Sequence, residues 1–111
     1  MKIQEEISNK RNDFILLCRE HKVKYLYAFG SSVSEKFDPK RSDIDLLVEI
    51  DSEDPVDRGE KLLALWDLFE HFFNRKIDLL TENSIRNPFL RKSIDSTKVL
   101  IYDGSGQKIF I

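Results

Sequence analysis

The sequence predicts one mixed α/β domain, of the α/β or α+β class, in which helices cover a small apolar sheet. Three observations predict it. Short runs rich in β-branched and aromatic residues, at 23–29, 44–50 and 77–80, alternate with segments whose apolar residues recur every three or four positions. The 111 residues are 41% hydrophobic and include eight Phe, which is enough to fill one core, so residues 1–111 are expected to form a single domain. Only four Gly and three Pro punctuate the chain, with no repeat, low-complexity tract or Gly/Ser linker to divide it.

The elements follow in order. From Lys2 to His21, residues Ile3, Ile7, Phe14, Leu17 and Cys18 fall on one face of a predicted helix. Cys18 on that face reads as packing rather than as a nucleophile. VKYLYAF, from Val23 to Phe29, predicts a strand that runs into a sharp turn at Gly30. The polar stretch SSVSEKFDPKRS, with Pro39, suits a loop that Phe37 pins to the body of the domain. Ile44 to Ile50 is apolar on both faces, which predicts a central strand rather than an edge. An acidic run and Pro55 then precede Leu62, Leu63, Leu65, Trp66, Phe69, Phe72 and Phe73, a broad helical stripe in which Trp66 is a core anchor. That stripe exceeds what one small sheet can cover, so a homodimer or a hetero-complex is expected to bury the remainder. Ile77 to Leu80 makes a short third strand. Ser84 to Ile94 holds a short helix interrupted near Pro88, and Val99 to Tyr102 a final edge strand before Gly104 and Gly106.

Charge and cysteine usage exclude several classes. Lys plus Arg total 18 against 20 Asp plus Glu, a formal net charge of -2, which argues against a generic nucleic-acid binder. Cys18 stands alone and cannot form an intrachain disulfide. The opening residues MKIQEEISNKRND carry charges where a signal peptide needs an apolar run, and no stretch is long enough to span a bilayer. A cytoplasmic protein without membrane association is the expectation. His21 and His71 fall at predicted helix ends, where capping or surface roles are the ordinary reading.

The sharpest feature is SDIDLL, in which Asp43 and Asp45 lie two apart at the start of an apolar strand and so share a face. Taken alone, such a pair reads equally well as a loop cap and a solvated strand end. Like charges held that close repel, and a divalent cation relieves the cost: Mg²⁺ takes one or two protein carboxylates and fills its octahedron with phosphate oxygens and water. Asp78, in KIDLL, has the same acid-before-leucines context and joins the set if its strand lies beside the first. Upstream, the strand ending at Phe29 runs into Gly30-Ser31-Ser32, where Gly permits close approach and Ser hydroxyls and successive amides can hold phosphate oxygens. A phosphate cradle opposite an acid cluster is the equipment for nucleotidyl transfer.

With those residues in place, YAFGSSVSEKFDPKRSDIDLLVEI resembles the signature of the nucleotidyltransferase superfamily related to DNA polymerase beta, in its minimal, stand-alone prokaryotic form. The likeness covers about Val23 to Leu80, more loosely the C-terminal segment, and implies a nucleotidyltransferase fold with a small mixed sheet. It implies that Gly30 and Ser31, with Ser32 beside them, grip the terminal phosphates of an NTP, and that Asp43, Asp45 and Asp78 are the metal-binding catalytic carboxylates. The implied reaction uses two Mg²⁺ ions, or Mn²⁺, and transfers a nucleoside monophosphate, AMP from ATP, to an acceptor hydroxyl. Minimal members resembling this chain are often paired with a small all-helical protein, and some are antitoxins that adenylylate a toxin. A partner of that type is therefore implied, as is the alternative of an inactive antitoxin-like protein that binds its helical partner without chemistry. The sequence departs from the family pattern after the turn. Where members often carry a basic side chain followed by Gly, this chain has Ser32, Val33, Ser34 and Glu35, and the loop to Asp43 is one residue longer. Each missing charge-assisted phosphate contact is worth about 1.5–3 kcal/mol, so weak nucleotide affinity is expected unless Lys36, Lys40, Arg41, Arg75 or Lys76 supplies the charge.

Overall fold

The computed structural model describes residues 2–34, 38, 43–106 and 108–109. The loop expected to be pinned by Phe37 and turned by Pro39, and the basic Lys36, Lys40 and Arg41 with Glu35, lie outside the described residues. The chain opens with two helices, α1 (Lys2–Asn9) and α2 (Arg11–Glu20), rather than the single predicted one. Ser8 and Asn9 favour non-helical hydrogen bonding, and Lys10 leaves helical geometry at φ -130° and ψ 43°. The break does not disturb the apolar face: Ile3, Ile7, Phe14 and Cys18 are all fully buried.

Strand β1 (Val23–Phe29) leads into a 3-10 turn at Gly30–Val33, and β2 (Ile44–Ile50) follows. Helix α3 (Pro55–Phe73) starts sharply because the Asp54 carboxylate accepts the Val56 N–H and Pro55 needs no partner at the first helical position. It ends at Asn74 in the left-handed conformation, φ 51°. Strand β3 (Ile77–Leu80) and a 3-10 turn at Glu82–Ser84 precede α4 (Pro88–Thr97). Pro88 begins this helix instead of interrupting it, since the Asn87 side chain accepts the Phe89 and Leu90 N–H groups. Strand β4 (Val99–Asp103) is not an edge: a two-residue β5 (Lys108–Ile109) pairs with it on the far side. So short a strand leaves no alternation for a sequence pattern to register.

The sheet order is β3-β2-β1-β4-β5. As expected of its apolar run, β2 is central, parallel to β3 and antiparallel to β1. Parallel pairing requires a crossover, which α3 provides. One face of the sheet packs on α1, α2 and α3 through Leu26, Leu46, Val48, Ile77, Phe14, Leu65 and Phe69. The other meets α4 through Phe29, Leu47 and Ile94. Within α3, Leu65, Phe69 and Phe73 are buried while Leu63 is 70% exposed, so Leu63 lies outside the stripe it was expected to join. It sits one residue, about 100° of helix, from Leu62. Trp66 anchors β3 by donating its indole N–H to the Ile77 carbonyl at 2.7 Å. Among the described residues, no helix is long and apolar enough to cross a membrane.

Candidate active site

Alternation along β2 sets the site. Ile44, Leu46, Val48 and Ile50 enter the main core, which turns Asp45 to the opposite face. There Asp45 lies in register with Phe29 of β1 on one side and with Asp78 of β3 on the other. The parallel pairing therefore brings together two carboxylates that are remote in sequence, as the strand reading required. Burial comes first and the charges of Asp78 and Asp43 next in pushing the Asp45 carboxyl up to about 6, and Asp78 lies within hydrogen-bonding reach of it. Asp43, one residue ahead of β2, is half-buried and its Oδ2 lies 3.9 Å from Lys76 Nζ. Of the two candidate replacement cations among the described residues, Lys76 thus stands beside an acid of the set, whereas Arg75 turns to Glu6 at 2.6 Å.

The turn after β1 is built against this acid pair. Gly30 has φ +63°, a conformation that favours glycine, and a Cβ there would stand 3.0 Å from Asp45 Oδ2, close enough to press on that carboxylate. Ser31 is exposed, and its carbonyl accepts the Ser34 N–H at 3.1 Å. Ser32 is fully buried and its Oγ accepts the Asp45 N–H at 2.7 Å. Its hydroxyl therefore holds the backbone of the acid, a role the sequence reading assigned to phosphate contact. The Gly30 N–H donates to Thr97 Oγ1 at 3.0 Å, across 67 residues of chain. Nothing local in the sequence signals Thr97, because its relevance depends on where α4 ends.

The donors suit a hard divalent cation. Among the described residues, no three His, Cys, Asp or Glu side chains form a metal-holding group by themselves. Mg²⁺ does not need three, since it takes one or two carboxylates plus phosphate and water oxygens, and burial together with the neighbouring Asp78 and Asp43 raises Asp45, a cost that a cation would relieve. Neither histidine takes part: His21 Nδ1 lies 2.8 Å from the Leu17 carbonyl and His71 Nδ1 2.9 Å from that of Asp67, both helix-end contacts. Burial pushes the Cys18 thiol up, so it stays protonated and inert in the core. A cleft of about 660 Å³ lies at the far end of β2, among Ile50, Ser52, Arg58 and Thr81, and none of the acids or turn residues lines it.

A Gly-Ser turn closing on acids of two adjoining strands, within a small mixed sheet, defines a nucleotidyltransferase-type domain. The chain belongs to the nucleotidyltransferase domain family, whose model matches residues 15–101. It is 37% identical over 86 residues, 78% of this chain and 84% of the relative, to the Methanocaldococcus jannaschii protein named "Putative protein adenylyltransferase MJ1217". A second protein of that organism, "Putative protein adenylyltransferase MJ0126", is 36% identical over 77% of this chain and 83% of its own. Among solved structures, that of a "putative minimal nucleotidyltransferase" superposes with a TM-score of 0.58 at 26% identity, covering 86% of this chain and 93% of the other. A toxin-antitoxin crystal structure with AMP-PNP gives 0.51 at 25% identity, over 83% and 72%.

Proposed function

We propose that this protein transfers AMP from ATP to an acceptor hydroxyl on a small helical partner protein, as the adenylylating member of a toxin-antitoxin pair. The observation that carries the reading is the register of Asp45 with Asp78 beneath the Gly30 turn. Membership of the family supports nucleotidyl transfer, the names of the two relatives support a protein acceptor, and the toxin-antitoxin structure with AMP-PNP supports both the adenine nucleotide and the kind of partner.

In this reading the Gly30–Ser31 turn orients the terminal phosphates through the Ser31 N–H and hydroxyl, while the Gly30 N–H stays with Thr97. Asp45 and Asp78, with Asp43 beside them, would hold Mg²⁺ there, and the ions when bound would supply the positive charge that acidifies an acceptor hydroxyl and neutralises a leaving pyrophosphate. Ser32 fixes the Asp45 backbone, so the carboxylate keeps its place while the phosphates arrive. Lys76, half of an exposed pair with Asp43, is free to turn toward phosphate and stand in for the basic residues missing at 32–35.

Calorimetric titration with Mg²⁺ and AMP-PNP tests the reading, with Asp45→Asn as the control. Metal-dependent binding by the wild type that the variant loses is expected. No binding by folded wild-type protein would remove the transferase reading and leave an antitoxin-like protein that acts on its helical partner by contact alone.

A further inference from the structure

Helix α4 ends where the Gly30 turn begins, and one hydroxyl joins them. Thr97, the last residue of α4, accepts the Gly30 N–H at 3.0 Å and donates its own proton to the Ser93 carbonyl at 2.7 Å. Both roles of the hydroxyl are therefore committed, and its acceptor direction is fixed by the helix. The helix is in turn fixed by Ile94, one turn earlier, which is fully buried against Phe29 and Leu47. Phe29 immediately precedes the turn, so the side chain that seats α4 and the hydroxyl that leaves it grip consecutive residues.

We propose that Thr97 is a positioning residue for the donor nucleotide: it holds the Gly30 peptide in the orientation that presents the Gly30–Ser31 turn to the terminal phosphates. The inference rests on the nucleotidyl-transfer reading of this site. Its physical basis is the left-handed conformation of Gly30, φ +63°, which glycine adopts readily but does not prefer strongly over others. A glycine free to leave that conformation would swing the following amide and Ser31 away from Asp45. From one side Ser32 ties the turn to the Asp45 N–H, and from the other Thr97 ties it to α4. Preorganisation of this kind lowers the ordering cost of ligand binding without any contact between Thr97 and the ligand.

Two variants test it. Thr97→Val keeps the shape and removes the hydroxyl, and Thr97→Ser keeps the hydroxyl and removes a methyl. Amide exchange at Gly30, followed by NMR without nucleotide, is expected to accelerate in Thr97→Val and to stay near wild type in Thr97→Ser. Affinity for Mg²⁺ and AMP-PNP should fall roughly five- to tenfold in the valine variant, the size of one neutral hydrogen bond, and recover in the serine variant. Wild-type binding that Thr97→Val matches overturns the inference and leaves the transferase reading standing. Equal losses in both variants also overturn it, because they assign Thr97 to packing. Wild-type protein that binds no nucleotide overturns both.

Discussion

Along β2 the side chains of Ile44, Leu46, Val48 and Ile50 join a thick layer built with α1, α2 and α3, whereas Asp45, Leu47 and Glu49 lie on a face that α4 covers sparingly. The first face is dense with aromatic contacts: the Phe14 ring stacks on Phe69 at 5.9 Å and meets Phe72 at 5.3 Å. On the second, Phe29, Leu47 and Ile94 form the buried cluster and Tyr25, Tyr27 and Glu49 keep contact with solvent. A charged pair such as Asp45–Asp78 cannot be built into the first face without several kcal/mol of desolvation. It is tolerated on the second because Asp45 and Asp78 keep partial contact with water there. Stability and chemistry are thus divided between alternate residues of one strand.

The largest effect that can test this division comes from the thick face. Phe69→Ala should lower unfolding free energy by about 3–5 kcal/mol in denaturant titration, the usual loss for a fully buried aromatic. Under conditions where the variant stays folded, its affinity for Mg²⁺ and AMP-PNP should match wild type. A large loss of affinity would break the comparison, since the two faces would then be one cooperative unit.

How far the sequence revealed each face follows from the range of the interactions. The thick face was legible because its signals are local: β2 alternation, the α3 stripe and the α1–α2 apolar spacing all arise within one element, and they put Ile3, Phe14, Leu65 and Phe69 in the core. The acids were legible for a related reason, since Asp43, Asp45 and Asp78 stand at strand starts and parallel pairing with a helical crossover is a common solution. What holds the acids was not. Ser32 reaches Asp45 across 13 residues and Thr97 reaches Gly30 across 67, contacts set by where α4 packs and not by any pattern around either residue. The same holds for Pro88, whose meaning as a helix start depends on the Asn87 cap, and for β4, whose outer neighbour is only two residues long.

A smaller effect should appear at the boundary between the faces. Gly30→Ala forces a side chain into a left-handed conformation, at about 1–2 kcal/mol, and drives a methyl toward Asp45 Oδ2. Thermal melting should register that cost as a modest drop. Nucleotide affinity should fall further than stability does, by about a hundredfold, because the methyl displaces the carboxylate that would hold the phosphate-bound metal. If affinity and stability fell in equal measure, the turn would be a structural feature of the fold and the functional asymmetry of the two faces would be weaker than drawn here.

The smallest expected effect is a pH dependence carried by the thin face alone. Asp45 titrates near 6 in the folded protein against 3.8 for an unperturbed carboxyl, so the folded state binds its proton more tightly than the unfolded chain does. The sign follows from linkage: this group contributes stability that is fully present below about 3.8 and is lost as pH rises through about 6. In metal-free buffer, wild-type melting temperature should therefore fall relative to that of Asp45→Asn between pH 4 and 6.5, with the difference level on either side of that window. Partial exposure of Asp45 keeps the effect small, because solvent limits the desolvation and screens the repulsion from Asp78. Adding Mg²⁺ at pH 7 should recover part of the lost stability in wild type and none in the variant. A parallel pH profile for the two proteins would mean that the carboxylate pair is already relieved by solvent, and that the thin face holds its charges without the strain that makes a cation welcome there.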